Sequence, residues 1–207
     1  MTDSKEHLQS LTEIRSMMER SSRFISLSGL SGIFAGIFAL CGAYAAYLKL
    51  NSLNGIYRLL DGNALMDIVI YLLVDASLVL AASLTVGVIL TIRNSKKKGI
   101  KIWDTTSKRL LINLLIPLIT GGLFCLVLLY HGLVGLVAPS SLIFYGLALI
   151  NASKYTLNDI RYLGFCEIAL GLIASLYIGY GLFFWAAGFG VLHIVYGAVM
   201  YYKYERD

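Results

Sequence analysis

Four ionisable side chains fall where the surrounding sequence is almost wholly apolar. Asp67 and Asp75 lie in DIVIYLLVDASLVLAASLTVGVILTI, Glu167 in RYLGFCEIALGLIASLY and His193 in FFWAAGFGVLHIVYGAVM. A charge at the centre of a bilayer costs ~2.5–3.5 kcal/mol on insertion scales, so such residues face a bundle interior and often serve proton or ion pathways. Asp67, Tyr71 and Asp75 advance by four and share one helix face, with Asp75 about 12 Å deeper than Asp67. Glu167, His193 and Asn113 are the expected partners of Asp75 across the bundle. Gly164 and Gly171 flank Glu167 at three and four residues, and Gly190 and Gly197 flank His193, so both polar groups sit on small, helix-facing stripes. The chemistry these residues suit is the handling of a proton or cation. The competing expectation is that protonated acids and a histidine merely form hydrogen bonds that set helix register.

Other chemistry is poorly supplied. His7, His131 and His193 fall at three different depths, and no HExxH, GxSxG or P-loop pattern occurs. Cys41, Cys125 and Cys166 each sit alone inside an apolar run, and they read as small buried hydrophobes. We therefore expect no catalytic residue, no metal and no cofactor.

The elements that position these residues follow from hydropathy. Of 207 residues, 58% are hydrophobic and 14% charged, against about 25% charged in soluble proteins. Mean hydropathy is +0.76. This is an all-α polytopic membrane bundle in one domain, with six predicted spans over about 24–48, 65–92, 110–130, 133–155, 162–180 and 182–202. Residues 1–23 form a separate amphipathic helix, with Leu8, Leu11, Ile14 and Met18 on one face, and residues 204–207 a charged tail. No signal-peptide cleavage is expected. Asp104 is placed to cap span 3, Pro117 to kink it, and Pro139 either starts span 4 or breaks it. In span 1, Gly29, Gly32 and Gly36 form a helix-packing stripe, which would also serve a homodimer.

Charge sets the predicted orientation. Of the 17 Lys and Arg, 15 fall on the side that holds both termini and only Lys49 and Arg58 on the other, so the termini are expected in the cytoplasm. The net charge of +5 is then a topology signal, with membrane lipid as partner and no nucleic acid. Trp103 and Trp185 mark the two interfaces. The run EIRSMMERSSRFISLSGLSGIFAGI, Glu13 to Ile37, resembles the opening of a group of bacterial membrane proteins of about this size. The resemblance covers roughly the first fifth of the chain and implies six spans in a bacterial inner membrane, with no activity attached.

Two offsets suggest an internal repeat. At 92 positions, Asp67 meets Asp159 and Asp75 meets Glu167; at 110, Ser31, Ile33, Phe34 and Gly36 meet Ser141, Ile143, Phe144 and Gly146. Three spans per half would make the halves inverted, a recurring transporter plan. The favoured expectation is a small transporter or channel-like protein moving a proton, cation or small solute past Asp75. The alternative is a non-transporting accessory or signalling protein that binds a membrane partner through its N-terminal helix and glycine faces.

Overall fold

In the computed structural model, residues 28–52, 62–99 and 102–206 are described. Among them the chain is helical, with no strand. The helices are α1 (Gly29–Ser52), α2 (Gly62–Lys97), α3 (Thr105–Tyr130), α4 (Val137–Ala152), α5 (Asp159–Leu176) and α6 (Gly181–Tyr204). All but α5 are long and apolar enough to cross a membrane. α5 has 18 residues and carries Asp159, Arg161 and Glu167. The amphipathic helix expected over 1–23 lies outside the described residues.

Helix ends follow local chemistry. The Asp104 carboxylate accepts the Ser107 backbone N–H at 2.7 Å, and the Ser107 hydroxyl accepts the Asp104 N–H at 2.9 Å. This reciprocal cap satisfies donors that an open helix end leaves unpaired, and it starts α3 five residues before the predicted span. Pro117 lies inside α3, which continues through it. Pro139 occupies the first turn of α4, where a missing N–H costs nothing, so it begins that helix instead of breaking it. A 3-10 turn, Val134–Leu136, precedes it. Gly132 (φ 73°) and Gly179 (φ 106°) take backbone angles that L side chains rarely adopt, and they turn the chain into α4 and α6.

α1 packs between α2 and α6, α4 packs between α3 and α5, and α6 also touches α4 and α5. Glycines mediate the two closest pairs. On α4 and α5, a Cβ at Gly146 would lie 2.6 Å from the Gly164 carbonyl, and one at Gly164 would lie 2.7 Å from that of Gly146. On α1 and α6, a Cβ at Gly36 would meet the Gly190 carbonyl at 2.5 Å, and one at Gly32 the Gly197 Cα at 3.1 Å. The stripe Gly29, Gly32 and Gly36 is thus occupied within the chain by α6. Outward-facing side chains are large and apolar, including Leu78, Ile112, Ile116 and Leu126. Cys41 and Cys166 are exposed among them and not buried as their apolar context suggested, because apolar context in lipid marks both the core and the outer surface.

One end of the bundle is laced by polar contacts. Glu205, just past α6, accepts the Gly29 backbone N–H and the Ser28 hydroxyl, the latter at 3.0 Å, which caps α1 with a carboxylate at its positive end. Asp159 at the start of α5 accepts the Tyr204 hydroxyl at 2.6 Å and pairs with Lys203 at 2.9 Å.

Two outcomes are expected. Gly146→Ala and Gly164→Ala should each cost about 1–3 kcal/mol through backbone overpacking, whereas Gly87→Ala, with nothing within 4 Å of the added carbon, should leave the detergent melting temperature unchanged. Asp104→Ala should cost about 1 kcal/mol at neutral pH. The Ser107 backbone N–H holds the Asp104 carboxyl below its ordinary value of 3.8 against the opposing effect of burial. A carboxyl lowered on folding contributes stability above that ordinary value and loses it as pH falls through the folded one. Melting curves should therefore show the gap between variant and wild type closing only below pH 3.8.

Candidate functional site

The middle of α6 is not an α-helix. Residues Ala186–Leu192 form a π-helical stretch, a widened turn that often marks functional sites in helices. Its sequence, AAGFGVL, supplies little side-chain bulk on the faces that meet other helices. Gly190 receives the side chain of Leu40 from α1, whose Cγ lies 2.7 Å from where a Cβ would stand. Gly188 receives Glu167 from α5, with Oε2 2.5 Å from the same hypothetical carbon. A side chain at either position would push its helix away.

Glu167 is 0% exposed, and neither carboxyl oxygen has a hydrogen-bond partner among the described residues. His193 faces it, with Nδ1 3.5 Å from Oε1. His193 is itself buried and closes the π-helical stretch. Its Nδ1 lies 3.0 Å from the Gly188 carbonyl and its Nε2 2.8 Å from the Tyr145 hydroxyl of α4. Three helices therefore contribute one side chain each to a line running from Glu167 through the imidazole to Tyr145. Around it the rings stack: Phe189 lies 5.9 Å from His193, 4.9 Å from Tyr145 and 5.0 Å from Trp185 between centroids.

Tyr145 and His193 form part of the wall of a cavity of about 600 Å³, within the roughly 300–1,000 Å³ of small-molecule sites. Its sides are the facing stripes of α2 (Ala76, Val79, Leu80, Ser83, Gly87) and α3 (Leu110, Leu114, Leu118, Gly121, Cys125). α2 and α3 each lean on a different inner helix, α1 and α4, and the space between them stays open. Trp185, expected at an interface, lines this cavity beside Phe189.

The expected site divides. Glu167 and His193 meet, but Asp75 joins neither. It faces α1, with its carboxyl oxygens 3.2 and 3.6 Å from where a Cβ of Gly42 would stand, and it does not line the cavity. Tyr71 also turns to α1, where the Lys49 ammonium lies 5.4 Å from its ring centroid, and Asp67 is exposed. Asn113 bonds within its own helix, donating to the Arg109 carbonyl at 2.8 Å, and its carbonyl receives the Asn151 side chain at 2.9 Å. Tyr71 and Asp75 thus form a contact with α1, away from the bundle centre, and Asp67 is not part of it. Tyr145 and Gly188 went unforeseen. The signal available for them was a tyrosine inside an apolar span and two glycines two residues apart beside His193. The cluster holds one acid and one histidine, and no group of three metal-ligating side chains occurs among the described residues.

Comparison with family models, with curated proteins and with solved structures finds no match to this chain.

Removing the Tyr145 hydroxyl leaves a buried ring nitrogen unpaired, which costs about 1–3 kcal/mol. Tyr145→Phe should lower the melting temperature in detergent accordingly. In a double-mutant cycle with His193→Phe the loss in the double variant should fall short of the sum of the two single losses, because both break the same bond.

Proposed function

We propose that this is a six-span transporter of a bacterial inner membrane in which a proton exchanged between Glu167 and His193 is coupled to a passenger held between α2 and α3. The observation that carries this is a fully buried carboxyl, unpaired by hydrogen bonds, 3.5 Å from an imidazole whose other nitrogen is bonded to the cavity wall. Keeping such a group in lipid is costly, and a purely structural carboxyl is normally hydrogen-bonded. The chain Glu167, His193, Tyr145 gives a proton a route of two steps between the core and the cavity. The π-helical stretch supports the same view, since it widens the turn where Glu167 enters.

α5 serves as the sixth span. It packs along α4 at Gly146 and Gly164, its Asp159 is paired with Lys203 at the polar end, and Glu167 is buried against α6. The two ends of the described bundle meet where Glu205 caps α1, and the excess of Lys and Arg on that side makes it cytoplasmic. An inverted relation between α1 and α4 is supported by matching contacts. Gly36 lies against Gly190 and Ile194 as Gly146 lies against Gly164 and Ile168, with Gly36 and Gly146 110 positions apart. The offset of 92 finds less support, since Asp75 faces α1 while Glu167 faces α6. No role in catalysis is assigned to the protein.

The test is proton entry into liposomes holding the purified protein and a trapped pH-sensitive dye, after an external acid step with potassium and valinomycin balancing charge. Wild-type vesicles should acidify faster than empty ones, Glu167→Gln should fall to the empty rate, and Asp75→Asn should keep the wild-type rate. Equal rates for wild type and Glu167→Gln would refute the proposal.

A further inference from the structure

The identity of the passenger follows from the chemistry of the cavity wall, on the footing of the proton-coupled function proposed above. A carbonyl can only accept, so His193 Nδ1, 3.0 Å from the Gly188 oxygen, carries the ring proton. In the neutral ring Nε2 then accepts, and the Tyr145 hydroxyl donates to it at 2.8 Å. Tyr145 has spent its only donor, and its oxygen keeps an acceptor site. A guest completes this wall by donating a hydrogen bond.

The remainder of the lining decides what that guest is. Among the described residues no Asp, Glu, Lys or Arg lines the cavity, so neither a phosphate nor an ammonium head would find a counter-charge there. The facing stripes run along α3 from Leu110 to Cys125, about 22 Å at 1.5 Å per residue. A slot this long and this apolar suits a hydrocarbon chain lying along it. α2 and α3 are packed on different neighbours, so a chain can enter between them from the lipid.

We propose that the cavity binds a neutral single-chain lipid alcohol, its hydroxyl donating to Tyr145 and its chain lying between α2 and α3. A proton arriving from the cavity, with Tyr145 passing its hydroxyl proton to Nε2 and taking up the new one, would reverse the local polarity, the Glu167 carboxylate facing the Nδ1–H as counter-charge. An imidazolium Nε2–H donates to Tyr145, the tyrosine hydroxyl turns outward as a donor, and its oxygen no longer favours a donating guest. The same proton that the transporter handles would thereby release the alcohol.

The test is binding of tritiated 1-hexadecanol to the purified full-length protein in detergent, competed by unlabelled 1-hexadecanol or by its methyl ether, which has the same chain and no donor. The alcohol should compete roughly three- to tenfold better than the ether, the range one net hydrogen bond supplies. Tyr145→Phe should abolish that preference. Gly87→Leu and Gly122→Leu, which project into open space from the cavity walls, should reduce binding at unchanged melting temperature. Glu167→Gln should still bind the alcohol in preference to the ether, so a failure of proton entry and a failure of binding are separable. Equal competition by alcohol and ether in the wild type, a preference that survives in Tyr145→Phe, or full binding by both glycine variants would overturn the assignment.

Discussion

Backbone touches backbone at glycine in this protein, and the placement of its polar groups depends on that contact. Lipid tails solvate leucine as well as another leucine does, so helices in a membrane gain little from hiding apolar surface and associate through close van der Waals packing. Gly146 against Gly164 brings α5 onto α4, and Gly32 and Gly36 against Gly197 and Gly190 bring α6 onto α1. With both pairs formed, α6 passes α5 closely enough for Gly188 to rest on Glu167. A methyl group at any of these points would separate the helices that carry the glutamate, the histidine and the tyrosine.

The same packing accounts for the cavity. Four helices, α1, α4, α5 and α6, are held by glycine contacts, while α2 and α3 are attached to the outside of α1 and α4 and bury little of their own surface. Two peripheral helices leaning on different supports leave a slot between them. Its floor is the aromatic row of α6 and the polar pair His193 and Tyr145. An apolar slot ending on a hydrogen-bonding pair, backed by a buried carboxyl, joins a place for a guest to a place for a proton. In the function proposed here the two are coupled through one imidazole, whose protonation decides which way the tyrosine hydroxyl points.

Glu167 and Asp75 show how similar sequence contexts diverge. Both are acids in apolar spans with small residues nearby, and an offset of 92 positions superposes them. Asp75 sits on a peripheral helix against Gly42. Glu167 sits on an inner helix and is covered on every side. Depth along the chain was equivalent, but depth within the bundle was not.

Much of the architecture was legible beforehand because it is local. Apolar runs of membrane length located the helices, Asp104 marked the cap of α3, and the glycine stripe of α1 marked a packing face. Glu167 and His193 were placed on helix-facing stripes by the glycines that flank each, but as partners of Asp75 and not of each other. What only the tertiary structure decided was which face met which. It set Asp75 against α1, recruited Tyr145 from α4, widened α6 at Gly188 and opened the slot between α2 and α3. Helical periodicity states that a face exists, but its partner is chosen by the fit of whole helices, and in lipid, where apolar patterning does not separate inside from outside, that fit is not written in any one segment.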